Sequence, residues 1–455
     1  MGDATRTQKR PIATLVIIGI NIAVYAITSY TSFFLEVSDY WVSAGGFVPS
    51  LITMPSQWFR VFTSMFLHAD FFHILFNMYF LYLFGRAVEN VLGGIKYLAL
   101  YFISGIVASI FHTAFSFLGG FSAYVIPAIG ASGAISGVLG AYLILYPGTS
   151  LVMGWFFFLF PMFFRMKAAY YLIFWFATQL IYGYARLAES TAVFAHAGGF
   201  IAGIALLPLL AKKERISQLK LMRKIALPPY LTFLPRKTVG LGQITKAIVA
   251  VLLSSLLFGA AYASVGLTNQ GNIKSATIQY TCEGTPYMDY VGLQLSESIE
   301  SQLASISLDQ TRILLSRLYY VKLLYDKAKI DENVSLNTVS ITLQVGVGRQ
   351  NFPVKLIIDY FEGRYDGDGF LSYGEGNLTT EVVFIYQYEI KIGNSSYNFY
   401  LSSQTVNLTD ITQYTGFPSF FVAVIALAVV FKKDKDLAVV GEESETFWRR
   451  FEPII

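Results

Sequence analysis

Charged residues and cysteines are scarce in this sequence. Only 14% of its 455 residues are charged, whereas soluble domains carry about a quarter. The single cysteine, Cys282, excludes an internal disulfide and a cysteine-rich metal site. No pattern in the chain indicates nucleic acid binding, a metal site or an organic cofactor, and we expect none of the three.

Apolar residues are abundant and occur in long runs. The chain is 55% hydrophobic with a mean hydropathy of +0.53, which together with the runs predicts a multi-pass membrane protein. We expect residues 1–11 to be a short cytoplasmic N-terminus, followed by a first span that is retained as a signal-anchor. The predicted spans are 12–30, 61–84, 97–118, 134–146, 168–184, 191–210, 247–265 and 414–431.

Basic residues lie in alternate connections between these spans. Lysine and arginine mark the cytoplasmic side, so this arrangement puts both termini, a basic linker at 211–246 and a tail at 432–455 inside the cell. Residues 267–413 then lie outside, and we expect a multi-pass protein of the cell membrane. Asn-x-Ser/Thr sequons agree with that side, at Asn333, Asn377, Asn394 and Asn407.

The segment 267–413 has the pattern of a soluble α+β domain. Asp366-Gly367-Asp368-Gly369 is typical of a hairpin turn. The segment shows no catalytic constellation, and our hypothesis is that it recruits a substrate or partner outside the membrane. Its spacing predicts a helix over 308–329 and strands over 335–347, 353–361, 381–392 and 397–408.

Three spans bring polar side chains to one predicted depth. Counting about 1.5 Å per residue from Tyr146, Ser132 lies roughly 9–10 Å below the outer face of an apolar layer about 30 Å thick. The same count puts His196 about 6 Å and His73 about 10 Å below that face. Polar groups at such depth are costly unless satisfied. We therefore expect a wet pocket, open to the outside, that these residues line together with Asn77.

Serine and histidine at one depth make a nucleophile and its general base. Ser132 Oγ would attack a carbonyl carbon, and His196 would take its proton and pass it to the leaving amine. The oxyanion needs donors, which His73 and Asn77 can supply from one helix face, with the Ser132 N–H at a helix N-terminus. No acidic residue lies in the fourth, fifth or sixth span to orient His196, so the pair is predicted to be a dyad.

Each of these residues also has a purely structural interpretation. A serine between glycines in a membrane helix is usually a packing residue. Gly133 and Gly137 form a small-residue stripe, as do Gly199 and Gly203, and the two stripes predict close packing of the fourth and sixth spans. A lone intramembrane histidine can simply bond a neighbouring carbonyl oxygen, which is our interpretation of His112.

Three motifs in this order carry a family resemblance: His68-x4-His73-x3-Asn77, Gly130-Ala131-Ser132-Gly133, and Ala195-His196-Ala197-Gly198-Gly199. Over residues 12–210 the chain resembles the rhomboid intramembrane serine proteases. The resemblance implies a six-span core with a Ser132–His196 dyad. It also implies an oxyanion hole made by His73, Asn77 and the Ser132 N–H, with the site supported by His68, Gly130, Gly133 and Gly199.

The same resemblance implies a substrate class and a route to the site. Members of the family cut single-pass membrane proteins near the outer interface, often after a small residue in a helix that unwinds easily. Residues 170–184 would be the gate and 186–190 the cap. The sequence departs from the family at Trp58, which is shifted by one position, and at Ser136, where some members stack an aromatic ring on the histidine.

We predict an all-α polytopic membrane protein with a six-helix rhomboid core and two further transmembrane helices that flank a soluble α+β extracytoplasmic domain. It would cleave transmembrane protein substrates within the lipid bilayer. The alternative is a non-catalytic relative that binds membrane proteins and steers their folding, trafficking or degradation. Retention of Ser132 and His196 argues against it. A transporter would have paired broken spans in two repeated halves, and the sequence lacks that pattern.

Overall fold

The protein is described here by a computed structural model that covers residues 10–157, 160–187, 192–225, 240–268, 271–304, 306, 308–347, 350–386 and 389–442. The chain divides into two compact units. A helical unit contains Met1–Val37, Gly45–Gln270 and Thr409–Ile455, and a sheet unit contains Ser38–Ala44 and Gly271–Leu408.

The helical unit begins with the six helices expected for the core. A two-stranded antiparallel hairpin, β1 Ser150–Phe157 and β2 Phe160–Lys167, joins the fourth helix to the fifth. Two further helices follow the sixth, α7 Lys213–Ile225 and α8 Gln243–Ser264. The core helices are α1 Ile12–Thr28, α2 Phe71–Leu92, α3 Gly94–Phe115, α4 Ser132–Leu145, α5 Ala168–Tyr184 and α6 Val193–Leu210.

Helix α4 lies at the centre of the helical unit. All side chains of residues 134–145 are buried, and the helix packs against α3 and α6. A Cβ added at Gly199 would collide with the Gly133 carbonyl oxygen, and one added at Gly203 would collide with the Gly137 carbonyl oxygen. Since no side chain fits between the two backbones, the predicted close packing of the fourth and sixth spans is confirmed.

The sheet unit is a six-stranded antiparallel sheet with two short helices packed on it. Its strands are β3 Asn272–Cys282, β4 Thr285–Leu293, β5 Asn333–Val347, β6 Gln350–Tyr365, β7 Leu371–Tyr386 and β8 Glu389–Asn407, in the order β4-β3-β8-β7-β6-β5. The helices α9 Ile299–Ala304 and α10 Asp309–Tyr320 bury Leu303, Leu314 and Leu318 in the apolar core of this unit. The turn at Asp366–Gly369 joins β6 to β7, as predicted.

Helix α11, Leu408–Lys432, and the residues after it complete the helical unit. Tyr124 Oη and Thr412 Oγ1 lie 2.6 Å apart, so α11 is bonded to the loop that precedes α4. Beyond α11, the Val439 N–H donates to the Leu145 carbonyl oxygen over 2.7 Å. The segment after α11 thereby occupies the C-terminal end of the central helix.

Five helices of the described residues are long and apolar enough to cross a membrane, namely α2, α3, α6, α8 and α11. Helices α1 and α4 are apolar but shorter. Helix α5 has 17 residues and the bounds predicted for the fifth span. The eight predicted spans therefore correspond to eight helices, of which five satisfy the length and hydropathy expected of a span.

The second span was predicted in the wrong place. The prediction was 61–84, whereas α2 runs Phe71–Leu92. Its start is fixed by Asp70, whose carboxylate accepts the His73 N–H over 2.9 Å and so caps the helix. Its end lies beyond the predicted loop because Glu89 is buried against the start of α1. The depth estimated for His73 was counted from near the predicted end of the second span, and α2 does not end there.

Other predicted elements also need correction. The segment after α4, for which no strand was predicted, forms a hairpin, so the core is not purely helical. The helix predicted over 308–329 ends at Tyr320. Residues 381–392 belong to two strands, because the alternation of β7 continues into β8, and residues 387–388 lie outside the described residues. Strands β3 and β4 were not predicted, since burial of Lys274 and Ser275 interrupts the alternation in β3.

Glu89 should be a major determinant of the stability of the helical unit. Its carboxylate accepts the N–H groups of Ala13 and Thr14 over 2.9 and 2.8 Å, and the Thr14 hydroxyl over 2.7 Å. Glu89→Ala leaves these buried donors without a partner, at a cost of about 1–3 kcal/mol each. We expect the apparent Tm in detergent to fall by several degrees. Glu214→Ala, at an exposed position on α7, should leave it unchanged. Equal Tm values for both variants would contradict this role.

Candidate active site

Ser132 is the first residue of α4, at the end of a tightly held loop. The Gly130 N–H donates to the Ser64 carbonyl oxygen over 2.8 Å. Phe47 and Ala128 exchange backbone hydrogen bonds of 2.9 and 2.7 Å. The first N–H groups of a helix have no partner within it, so the Ser132 hydroxyl and an available backbone donor lie at the same point.

Ser132 and His196 are in direct contact. The distance from Ser132 Oγ to His196 Nε2 is 2.8 Å, a normal hydrogen bond. His196 lies in the first turn of α6, and the glycine-mediated packing of α4 against α6 holds the two side chains together. A hydroxyl that donates to a neutral imidazole nitrogen is the arrangement from which a proton can pass to the base.

Two side chains of α5 contact the His196 ring. Gln179 Oε1 lies 2.8 Å from His196 Nδ1. The centroids of the Trp175 and His196 rings are 6.1 Å apart, with an interplanar angle of 35°. Both ring nitrogens of His196 are therefore in hydrogen bonds. Trp175 gives His196 an aromatic neighbour, which the position of Ser136 does not provide.

Gly130 leaves a small space between two predicted site residues. Its φ is +127°, a conformation that side-chain-bearing residues rarely adopt. A Cβ at this position would lie 2.8 Å from His73 Nε2 and 3.4 Å from Ser132 Oγ. The two polar atoms thus border one space that only a glycine keeps open.

The hydrogen bonds of His73 fix which ring nitrogen carries its hydrogen. The Ala69 N–H donates to His73 Nδ1 over 3.3 Å. In the neutral ring a nitrogen that accepts leaves the hydrogen on the other nitrogen. His73 Nε2 is therefore a donor, and it is the atom that faces the space in front of Gly130.

Asn77 lies one helical turn below His73. It is 7% exposed, and its Nδ2 donates to the His73 carbonyl oxygen over 2.9 Å. An amide nitrogen has two hydrogens, so one remains for a ligand. The contacts of Asn77 are with α2, so the structure does not join it to Ser132 directly.

His68 supports the loop that leads to Ser132. It is fully buried, its Nδ1 lies 3.3 Å from the Phe66 carbonyl oxygen, and its Nε2 accepts the Ala131 N–H over 3.4 Å. This pattern requires a neutral ring with the hydrogen on Nδ1. The resemblance implied that His68 supports the site, and its contacts extend to Ala131, directly before Ser132.

The remaining predicted residues act through packing. A Cβ at Gly133 would lie 2.8 Å from Ala108 Cβ. The lack of a side chain at Gly133 therefore lets α3, as well as α6, pack closely against α4. His112 has its ring 6.4 Å from that of Phe47. Ser136 donates to the Ser132 carbonyl oxygen over 2.6 Å. Of the predicted cap at 186–190, residues 188–190 lie outside the described part of the chain.

Gln179 is the residue at this site that the sequence analysis missed. The dyad was predicted because the neighbouring spans lack acidic residues. Gln179 has a neutral amide, which that reasoning did not include. The available signal was a glutamine in an otherwise apolar fifth span. Sequence spacing alone could not show that this side of α5 faces His196, because that depends on the angle at which α5 packs on α6.

Residues 55–213 match the Rhomboid domain family. The chain is 31% identical over 145 residues to "Rhomboid protein 1, mitochondrial" of Saccharomyces cerevisiae, covering 32% of this chain and 38% of that protein. It is 41% identical over 102 residues to "Rhomboid protease GluP" of Bacillus subtilis, with coverages of 22% and 18%. It is 30% identical over 139 residues to "Rhomboid protease AarA" of Providencia stuartii, with coverages of 29% and 50%. Half or less of each of these relatives is matched.

Gly130→Ala should lower the reactivity of Ser132. The new methyl group would occupy the space between His73 Nε2 and Ser132 Oγ, and we expect labelling by a fluorophosphonate to slow by at least about tenfold. Gly120→Ala is the matched control, because Gly120 also has a positive φ of +70° but has open space around it. Labelling rates are compared on purified protein of equal Tm. Equal slowing in both variants would mean that backbone strain, and not the filled space, is responsible.

Proposed function

We propose that this chain, which belongs to the rhomboid family through its Rhomboid domain at residues 55–213, is an intramembrane serine endopeptidase. The observation that carries the proposal is the 2.8 Å hydrogen bond between Ser132 Oγ and His196 Nε2. A serine in contact with a neutral histidine is the pair that acyl transfer requires. The chain is a multi-pass membrane protein, and relatives that are named as proteases support the same class of reaction.

In the proposed reaction Ser132 Oγ attacks the carbonyl carbon of the scissile peptide bond. Its proton passes to His196 Nε2 and from there to the leaving amine, which departs when the tetrahedral intermediate collapses. The product of this half-reaction is an ester between Ser132 and the N-terminal part of the substrate. Water, deprotonated by the same histidine, then attacks the ester and restores the serine.

The negative charge on the tetrahedral intermediate needs donors already in place. The proposed donors are His73 Nε2–H, which borders the space before Gly130, and the Ser132 N–H at the start of α4. Asn77 is proposed as a third donor through the Nδ2 hydrogen that does not bond to His73. Fixed donors in an apolar surrounding stabilise charge more strongly than water does, because they need no reorganisation.

The proposed substrates are transmembrane protein segments that reach the site from the lipid bilayer. Helix α5 is the proposed gate, since Trp175 and Gln179 lie beside His196 while Phe174, on the same helix, is 69% exposed. A peptide bond inside a helix is already hydrogen-bonded, so the substrate must unwind locally before attack. The proposed orientation has both termini in the cytoplasm and the sheet unit outside, as the positions of the basic residues favour.

Cleavage should depend on Ser132 and His196. We expect reconstituted wild type to cut a labelled single-pass membrane substrate, and Ser132→Ala and His196→Ala to lose at least about a thousandfold in rate. Ser301→Ala, on an exposed surface of α9, serves as the matched serine control. If wild type cuts nothing and a fluorophosphonate does not label it, the chain is a non-catalytic relative that binds membrane proteins. If Ser132→Ala cuts like wild type, the nucleophile lies elsewhere.

The sheet unit is proposed to recruit substrates or partners, without contributing to the chemistry. The Leu408 N–H donates to the Gly271 carbonyl oxygen over 3.0 Å, so a short Gly-Ser linker can replace residues 272–407. The shortened protein should cleave a generic substrate within about threefold of wild type and lose preference for its natural one. Fluorophosphonate labelling checks that the core is intact. Loss of generic cleavage with normal labelling would overturn the recruitment hypothesis.

A further inference from the structure

We propose that Gln179 is a positioning residue for the reaction, and that Ser132, His196 and Gln179 form one hydrogen-bonded line in place of a simple dyad. The proposal rests on the proposed protease function. Gln179 comes from α5, whereas the other two residues come from α4 and α6. The three core helices that surround the reaction thus each supply one member.

The first argument is the tautomer of His196. For Ser132 to transfer its proton, His196 Nε2 must be free of hydrogen, so Nδ1 must carry it. The atom 2.8 Å from Nδ1 is Gln179 Oε1, which can only accept. This acceptor stabilises the reactive tautomer and disfavours the one that would present a hydrogen to Ser132 Oγ.

The second argument is the choice of an amide over a carboxylate. After proton transfer the imidazolium has a hydrogen on Nδ1, and the dipole of the Gln179 carbonyl stabilises it. A buried carboxylate would do so more strongly, but a charge in an apolar layer is costly to maintain when no cation is present. Papain-like proteases use a neutral asparagine in this position of their Cys-His-Asn arrangement.

The third argument is that packing holds Gln179 in place. Three residues before it, Phe176 is fully buried and stacks on Phe200 of α6, with centroids 4.5 Å apart and an interplanar angle of 18°. At the end of α5, the Tyr184 hydroxyl donates to the Ser255 carbonyl oxygen of α8 over 2.8 Å. Helix α5 is thereby anchored on both sides, and the Gln179 side chain is held next to His196.

The test compares Gln179→Leu, which removes the acceptor, with Gln179→Glu, which keeps it. Thr113→Val is the matched control, because Thr113 lies on α3, outside the proposed gate, and its hydroxyl donates to the Ser109 carbonyl oxygen of its own helix over 2.9 Å. Each full-length protein is reconstituted with a labelled single-pass substrate, and kcat, KM, the pH profile of kcat and the rate of fluorophosphonate labelling are measured. Ser132→Ala is run beside them.

We expect Gln179→Leu to lower kcat about tenfold to a hundredfold with KM within twofold, and to slow labelling equally. Gln179→Glu should retain the activity that Gln179→Leu loses. In the pH profile of its kcat, the acidic limb should lie at higher pH than in wild type, because a carboxylate makes His196 more basic. Thr113→Val should stay within twofold of wild type.

Wild-type kcat and labelling in Gln179→Leu would overturn the proposal, as would an effect on KM alone, which would assign Gln179 to substrate entry. If Gln179→Leu does not fold, Gln179→Glu decides, and an unshifted pH profile in that variant overturns the proposal. Cleavage by Ser132→Ala at the wild-type rate would instead refute the proposed function.

Discussion

A polar site inside a bundle of apolar helices must satisfy its own hydrogen bonds, and most of this unit follows from that constraint. Water competes poorly there, so each polar atom needs a fixed partner. His68 has the Phe66 carbonyl and the Ala131 N–H, and His196 has Ser132 and Gln179. Every group that is hydrogen-bonded to the rings of His68 and His196 is neutral, so these rings need no formal charge in the ground state. In the proposed reaction, charge develops only after Ser132 attacks, where the proposed donors already lie.

Glycine is the second requirement, because the partners come from different helices that must approach closely. At Gly199 and Gly203 the absent side chains let α6 lie against the backbone of α4, which brings His196 to Ser132. At Gly130 the missing Cβ leaves the space between Ser132 and His73. The first two glycines thus set the position of His196, and the third keeps open the side of Ser132 that faces His73. The small-residue stripes that could be explained as packing are therefore also what assembles the site.

Sequence reasoning succeeded where a local pattern has a direct structural consequence. The short fourth helix, the pairing of α4 with α6 and the turn at Asp366–Gly369 follow from length, glycine spacing and turn chemistry. It failed where tertiary contacts determine the end of a helix or the partner of a side chain. Glu89 is polar and looked like a loop residue, but α1 buries it, and α2 therefore extends past the predicted end. Gln179 carries no motif, and its contact with His196 depends on helix rotation, which spacing does not encode.

Helices α8 and α11, which precede and follow the sheet unit in sequence, also contact segments that support the site. Helix α8 holds the end of α5 through Tyr184 and Ser255, and α5 carries the partner of His196. Helix α11 holds Tyr124 through Thr412, in the loop that leads to Gly130. One added helix thus supports the proposed base, His196, and the other supports the loop that leads to the proposed nucleophile, Ser132. The Tyr124–Thr412 pair is buried, and apolar packing alone would anchor a helix without the cost of burying polar groups. The specific hydrogen bonds at these two points favour the interpretation that α8 and α11 are integral to the geometry of the site.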